Sequence, residues 1–114
     1  MERFVEQTLL YDFYGELLTE HQRRIYEEAV FDDFSISEIA RDEGISRQGV
    51  HDLIKRCNKT LDDYENRLHL VERFLKIRED IKKIHEITGP EAEGTESEKM
   101  EKINSIASAI LEEL

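Results

Sequence analysis

The chain has no tryptophan, one cysteine (Cys57), one proline (Pro90) and five glycines among its 114 residues. Each shortage excludes something. A lone cysteine cannot close an internal disulfide, so the fold must hold without cross-links and a cytoplasmic location is expected. Glycine and proline are too few to turn the many corners of an all-β chain. No stretch approaches the roughly 18 apolar residues of a membrane-crossing helix. The opening MERFVEQTLL has no basic start followed by an apolar run, so neither membrane insertion nor a signal peptide is expected. Positive charge is scarce as well: 16 Lys and Arg stand against 27 Asp and Glu, a formal net charge of -11. That balance argues against a general nucleic-acid coat or a membrane-surface peptide.

What is present reads as amphipathic helix. Hydrophobic residues make up 39% and charged residues 38%, the mixture of helices with long solvated faces. The predicted fold class is all-α, with five helical segments. The first spans about 2–15, with Phe4, Leu9 or Leu10, Phe13 and Leu17 at helical spacing. The second follows Thr19, a good N-cap, and runs to about Asp32 with Ile25, Tyr26, Ala29 and Val30 inward. The third starts at Ser35, where Ser35-Ile36-Ser37-Glu38 reads as a reciprocal capping box. It should stop at Gly44, which can take the left-handed conformation that ends a helix.

The fourth segment starts at Ser46, another N-cap, and meets no glycine or proline from Val50 to Thr88. Val50, Ile54, Cys57, Leu61, Tyr64, Leu68, Val71 and Leu75 recur in alternating steps of four and three. The stripe then slips to Leu70, Phe74, Ile77, Ile81 and Ile84. One helix over 46–88 would be about 64 Å long at ~1.5 Å per residue. A compact domain of this size has a radius of gyration of only ~13 Å. Such a helix must break, with Thr60-Leu61-Asp62-Asp63 offering a restart, or protrude as an arm; a continuous helix is the expectation. Residues 89–97 (GPEAEGTES) read as an acidic linker. The last helix carries Met100, Ile103, Ile106, Ala107, Ile110, Leu111 and Leu114 on one side and is predicted to dock on the 68–87 stripe. The domain organisation is thus 1–60, 61–88 as a long helical extension, 89–97 as linker, and 98–114 as a C-terminal helix.

The segment from Ile36 to Lys55 has the offsets of a helix-turn-helix. Ala40 allows two helices to cross closely, Gly44 serves the turn, and Ile39, Ile45, Val50 and Leu53 fill the angle between them. Glu43, just before the turn, fits poorly, since an apolar residue suits that position. Charge singles out the same segment. Residues 1–45 carry net -8 and residues 61–114 net -6, whereas residues 46–60 carry net +3. With Val50, Leu53, Ile54 and Cys57 inward, the second helix shows Arg47, Gln48, His51, Asp52, Lys55 and Lys59 outward. Its N-terminal residues would lead into a major groove, where Arg pairs with guanine and Gln with adenine. Ser46 and the first free N–H groups suit a phosphate oxygen. Lys55, Arg56 and Lys59 suit phosphates as point charges. The candidate DNA-binding set is therefore Ser46, Arg47, Gln48, His51, Asp52, Lys55, Arg56 and Lys59. An ordinary two-helix corner with a solvated face is the alternative.

Other chemistry has little support. His21, His51, His69 and His85 are scattered, and His69 with Glu72 on one helix face cannot make a closed metal site. Cys57 lies on the apolar stripe, as expected of a core residue. Arg23-Arg24 reads as a solvated pair that could touch a phosphate. The nine aromatic residues sit mainly on apolar faces, with core packing as the default. No phosphate-cradling loop and no Ser-His-Asp arrangement appears. No enzyme activity, metal or cofactor is expected.

Residues 19–64, from TEHQRRIYEEAVF to KTLDDYE, resemble the promoter-reading fourth region of bacterial sigma factors. The chain as a whole is similar to the YlxM family of small bacterial helix-turn-helix proteins, most tellingly in ISRQGVHDLIKR followed by LDDYE. The resemblance covers residues 1–88 and is weaker beyond. It implies a regulatory role linked to the signal recognition particle. The expected partner is a nucleic acid, DNA before RNA, alongside components of that particle. The other reading is an adaptor that docks on a basic particle component through acidic faces without reading DNA. The two apolar stripes of the long helix are wider than one seam, so a homodimer is expected.

Overall fold

The computed structural model describes residues 2–114, and among them it holds six α-helices, one 3-10 turn and no strand. They are α1 (Arg3–Tyr14), a turn at Gly15–Leu17, α2 (Glu20–Val30), α3 (Ile36–Glu43), α4 (Arg47–Leu68), α5 (Leu70–Thr88) and α6 (Glu96–Glu113). The chain forms two compact units, one ending at His69 and one spanning Leu70–Leu114. No helix is long and apolar enough to cross a membrane among the described residues.

In the first unit α1, α2 and α3 all pack on α4. The core comprises Leu10, Tyr14, Leu18, Ile25, Tyr26, Ile39, Ala40, Val50, Cys57 and Leu61. The inward face of α1 is rotated from the one its spacing predicts. Leu10 and Tyr14 are buried, whereas Phe4, Phe13 and Leu17 are exposed. The tyrosines win because each inward ring also finds a polar partner. Tyr14 Oη donates to Glu65 Oε1 at 2.6 Å, and its ring stacks on Tyr64 with centroids 6.0 Å apart. Tyr11 donates to Glu27 and stacks on Tyr26 at 5.5 Å. Core packing is therefore the rule for the tyrosines and less so for the phenylalanines, with Phe4, Phe13, Phe34 and Phe74 left exposed.

Helix ends follow local chemistry. The reciprocal capping box sits at Thr19, whose hydroxyl accepts from Gln22 N while the Gln22 side chain accepts from Thr19 N. At Ser35 only the hydroxyl half is made, from Glu38 N at 3.1 Å. The continuous helix expected over 46–88 is interrupted. His69 adopts φ 56 and ψ 29 as the C-cap of α4, and α5 starts at Leu70. A left-handed residue cannot continue a right-handed helix, and histidine visits that region more readily than most side chains. Val71, which continues the stripe of α4, is the buried apolar residue of α5, while Leu70 and Phe74 of the slipped stripe are exposed.

In the second unit α5 and α6 pack on each other, as expected from their stripes. Thr95, within the segment read as linker, caps α6 by accepting from Glu98 N at 3.1 Å. Lys76 Nζ reaches Glu113 Oε1 at 2.5 Å. Only Val71 and Asp80 are buried along α5, and α6 buries no residue fully.

Candidate nucleic-acid interface

The turn between α3 and α4 is built by three local devices. Gly44 closes α3 at φ 68, and its N–H reaches the carbonyls of Ala40 and Arg41. A Cβ at Gly44 would meet no atom within 4 Å, so glycine is there for its backbone conformation and not for space. Ser46 then caps α4, its Oγ accepting from Gly49 N at 2.9 Å. A Cβ at Gly49 would come within 3.2 Å of that Oγ, so this glycine leaves room for the cap.

The angle between the helices is filled by Ile39, Ala40 and Val50, which cluster with Ile25; Ile36, Leu53 and Ile54 pack against them. Ile45 departs from expectation: it is 41% exposed and stands outside the angle. Glu43 is the second departure, and its partners explain it. Its carboxylate takes Arg24 Nη2 at 2.7 Å and lies 3.0 Å from His21 Nε2. The acid ties the end of α3 to α2, which an apolar residue could not do. The His21 hydrogen bond, followed by that of Arg24, holds the Glu43 carboxyl below its ordinary range. Arg24 stays 55% exposed, a solvated surface residue as read for the Arg23-Arg24 pair, while its guanidinium pairs with Glu43.

All eight candidate residues are exposed at the head and along one side of α4. Ser46, Arg47, Gln48, His51 and Asp52 occupy its cap and first turns; Lys55, Arg56 and Lys59 follow one to two turns later. Besides Ser46, three are engaged with neighbours: Gln48, Asp52 and Lys59. Gln48 Nε2 donates to Asp52 Oδ1 at 3.0 Å, and Lys59 Nζ lies 3.1 Å from Asp63 Oδ2. Behind this face the helix is fixed by Cys57 and Leu61, both fully buried. Burial pushes the Cys57 thiol up, as befits a core residue.

The fold adds one cation that sequence order conceals. Arg3, in the first turn of α1, lines a groove of about 620 Å³ together with Lys55, Arg56 and Lys59. Nothing in the sequence around Arg3 signals this; only the packing of α1 on α4 creates it.

A short helix closed by a left-handed glycine, a turn, and a second capped helix with a polar outer face define a helix-turn-helix protein. The chain matches over residues 1–106 the family described as "Putative helix-turn-helix protein, YlxM / p13 like". It is 47% identical over 83 residues to a UPF0122 protein of Caldanaerobacter subterraneus subsp. tengcongensis, covering 73% of this chain and 71% of that relative. It is 37% identical over 112 residues to a UPF0122 protein of Desulforamulus reducens, covering 98% and 96%. A UPF0122 protein of Clostridium acetobutylicum is 48% identical over 83 residues, covering 73% and 71%. The chain belongs to this UPF0122 family of YlxM-like helix-turn-helix proteins.

Proposed function

We propose that the chain is a DNA-binding regulator that reads a duplex through the N-terminal half of α4 and acts as a homodimer. One observation carries the reading. The one net-basic window of an acidic chain, residues 46–60 at net +3, covers the capped start and exposed face of the second helix of a helix-turn-helix. Arg47 and Gln48, at the leading end, reach base edges. Lys55, Arg56 and Lys59, further along, meet phosphates. Asp52 holds the Gln48 amide in the free protein, so the two must part or share a base when DNA enters.

Binding to paired duplexes of different sequence tests this. The double variant Arg47→Ala and Gln48→Ala should lose sequence preference, each bidentate pair being worth about 1–3 kcal/mol. Lys55→Ala should weaken all duplexes alike. A double variant that binds every sequence as the parent does would remove α4 as a reader.

We propose the signal recognition particle pathway as the setting for this regulator, on the family resemblance alone. The adaptor reading is favoured by net charges of -8 and -6 on the segments flanking the basic window. Capture from lysate with and without nuclease separates the two. A DNA reader loses its nucleic acid and whatever that bridges; an adaptor keeps its protein partner.

A further inference from the structure

The groove between the start of α1 and the middle of α4 begins on the helix-turn-helix, at Asp52 and Lys55, and is closed from outside it by Arg3. Its walls carry Arg3, Lys55, Arg56 and Lys59 beside two acids, Asp52 and Asp62. Lys59 is already paired with Asp63 at 3.1 Å, which leaves Arg3, Lys55 and Arg56 against Asp52 and Asp62, a small local excess of positive charge on a protein of net charge -11, where an anion is drawn in. All four cations are exposed. The ion pair of Arg3 with Glu6 is long, at 3.8 Å, and solvated on both sides, so it yields readily to a stronger acceptor.

The wall behind the cations is fixed. Asn58 Oδ1 accepts from Tyr26 Oη at 2.6 Å and from Gln7 Nε2 at 3.4 Å, joining α1, α2 and α4 at one point. Arg47 to Lys59 is twelve residues, about 18 Å at ~1.5 Å per residue. The groove therefore lies beyond the base-reading turn, where a helix set in a major groove about 12 Å wide meets the flanking backbone. A volume of about 620 Å³ exceeds what a single ion fills and suits a passing sugar–phosphate strand.

We infer that this groove holds the phosphate backbone of a bound duplex, with Arg3 of α1 supplying a contact that the helix-turn-helix lacks. The inference rests on the nucleic-acid reading proposed above. Asp62 acts against it: burial pushes its pKa up, with the nearby Arg3 opposing that shift by favouring the charged carboxylate. Replacing Asp62 by asparagine removes a repulsive charge from the strand's path.

The test is a salt series on duplex binding by the full chain, using two duplexes of unrelated sequence. Arg3→Ala should weaken both duplexes by the same factor, several-fold at low salt. It should also reduce the slope of log affinity against log salt by about 0.9, the signature of one lost phosphate contact. Arg3→Lys should restore most of the slope, and Asp62→Asn should tighten both duplexes. Arg3 is exposed, so its variants should keep the parent's circular dichroism and melt. Should Arg3→Ala match the parent in affinity and slope while the Arg47 and Gln48 double variant still loses preference, the groove inference falls and the α4 reading stands. A parent that binds neither duplex at low salt overturns both.

Discussion

Single residues decide how the α3–α4 corner is held, and two of them make separable predictions. Glu43 looks misplaced in a helix-turn-helix until its partners are seen. Its folded-state pKa is depressed, first by the hydrogen bond from His21 and then by that from Arg24. A carboxyl depressed in this way stabilises the fold fully above its ordinary value near 4.5, and the contribution is lost as pH falls through the lower folded value. Urea midpoints should therefore drop between pH 5 and pH 3 more steeply for the parent than for Glu43→Gln; parallel curves would show that the clamp contributes nothing. Gly44 makes a prediction of different kind. Its surroundings are open, so only its φ of 68 opposes a side chain. Gly44→Val should cost about 1–2 kcal/mol, a fall of several degrees in a unit of this size. Cys57 completes the residue scale. It is fully buried with its thiol pushed up by burial, so it should resist iodoacetamide in the native protein and react once urea unfolds it. Rapid native alkylation would contradict the core of the first unit.

Helices show where sequence can be read and where it cannot. Three starts are legible because a cap is a local event: Thr19, Ser35 and Ser46 each accept from the backbone three residues on, and Thr95 does the same inside a segment that reads as linker. Loss of the cap in Ser46→Ala should cost about 1 kcal/mol by thermal melt, whatever becomes of DNA binding; an unchanged melt would mean that α4 is fixed by Cys57 and Leu61 alone. The end of α3 is legible for the same reason, since Gly44 announces it. The end of α4 is not. Histidine carries no breaker signal, and the apolar stripe runs on through Leu68, Val71 and Leu75 without marking the place. The inward face of α1 fails for another reason: spacing ranks Phe above Tyr, whereas the core selects the ring that can also place its hydroxyl, as Tyr14 does on Glu65. The candidate interface divides similarly. The outward face of α4 follows from its periodicity and its charge. Arg3 does not, because it lies 52 positions before Lys55 and only tertiary packing brings them to one groove.

At the scale of the whole molecule, the second unit is the part that its own residues do not complete. Helices of 19 and 18 residues pack together, yet Val71 is the one buried apolar side chain between Leu70 and Leu114. Asp80 is the other buried residue, and its Oδ2 finds no hydrogen-bond partner, a cost to a small unit. Ile81, Met100, Leu111 and Leu114 are all more than half exposed. Two short helices with so thin a core do not hold a stable fold unaided. Burying each large aliphatic side chain is worth about 1.5–3 kcal/mol, so covering several at once favours association strongly. A second copy is the commonest solution, because a two-fold axis covers the same patch on both partners. It also brings a second α4, as an operator with two half-sites requires. Sedimentation equilibrium at micromolar concentration decides. The expected mass is near twice 13.5 kDa, falling to the monomer when Ile81 and Leu111 are both changed to Glu. A parent that sediments at 13.5 kDa throughout would overturn the dimer. A dimer unmoved by the two substitutions would shift the interface away from α5 and α6.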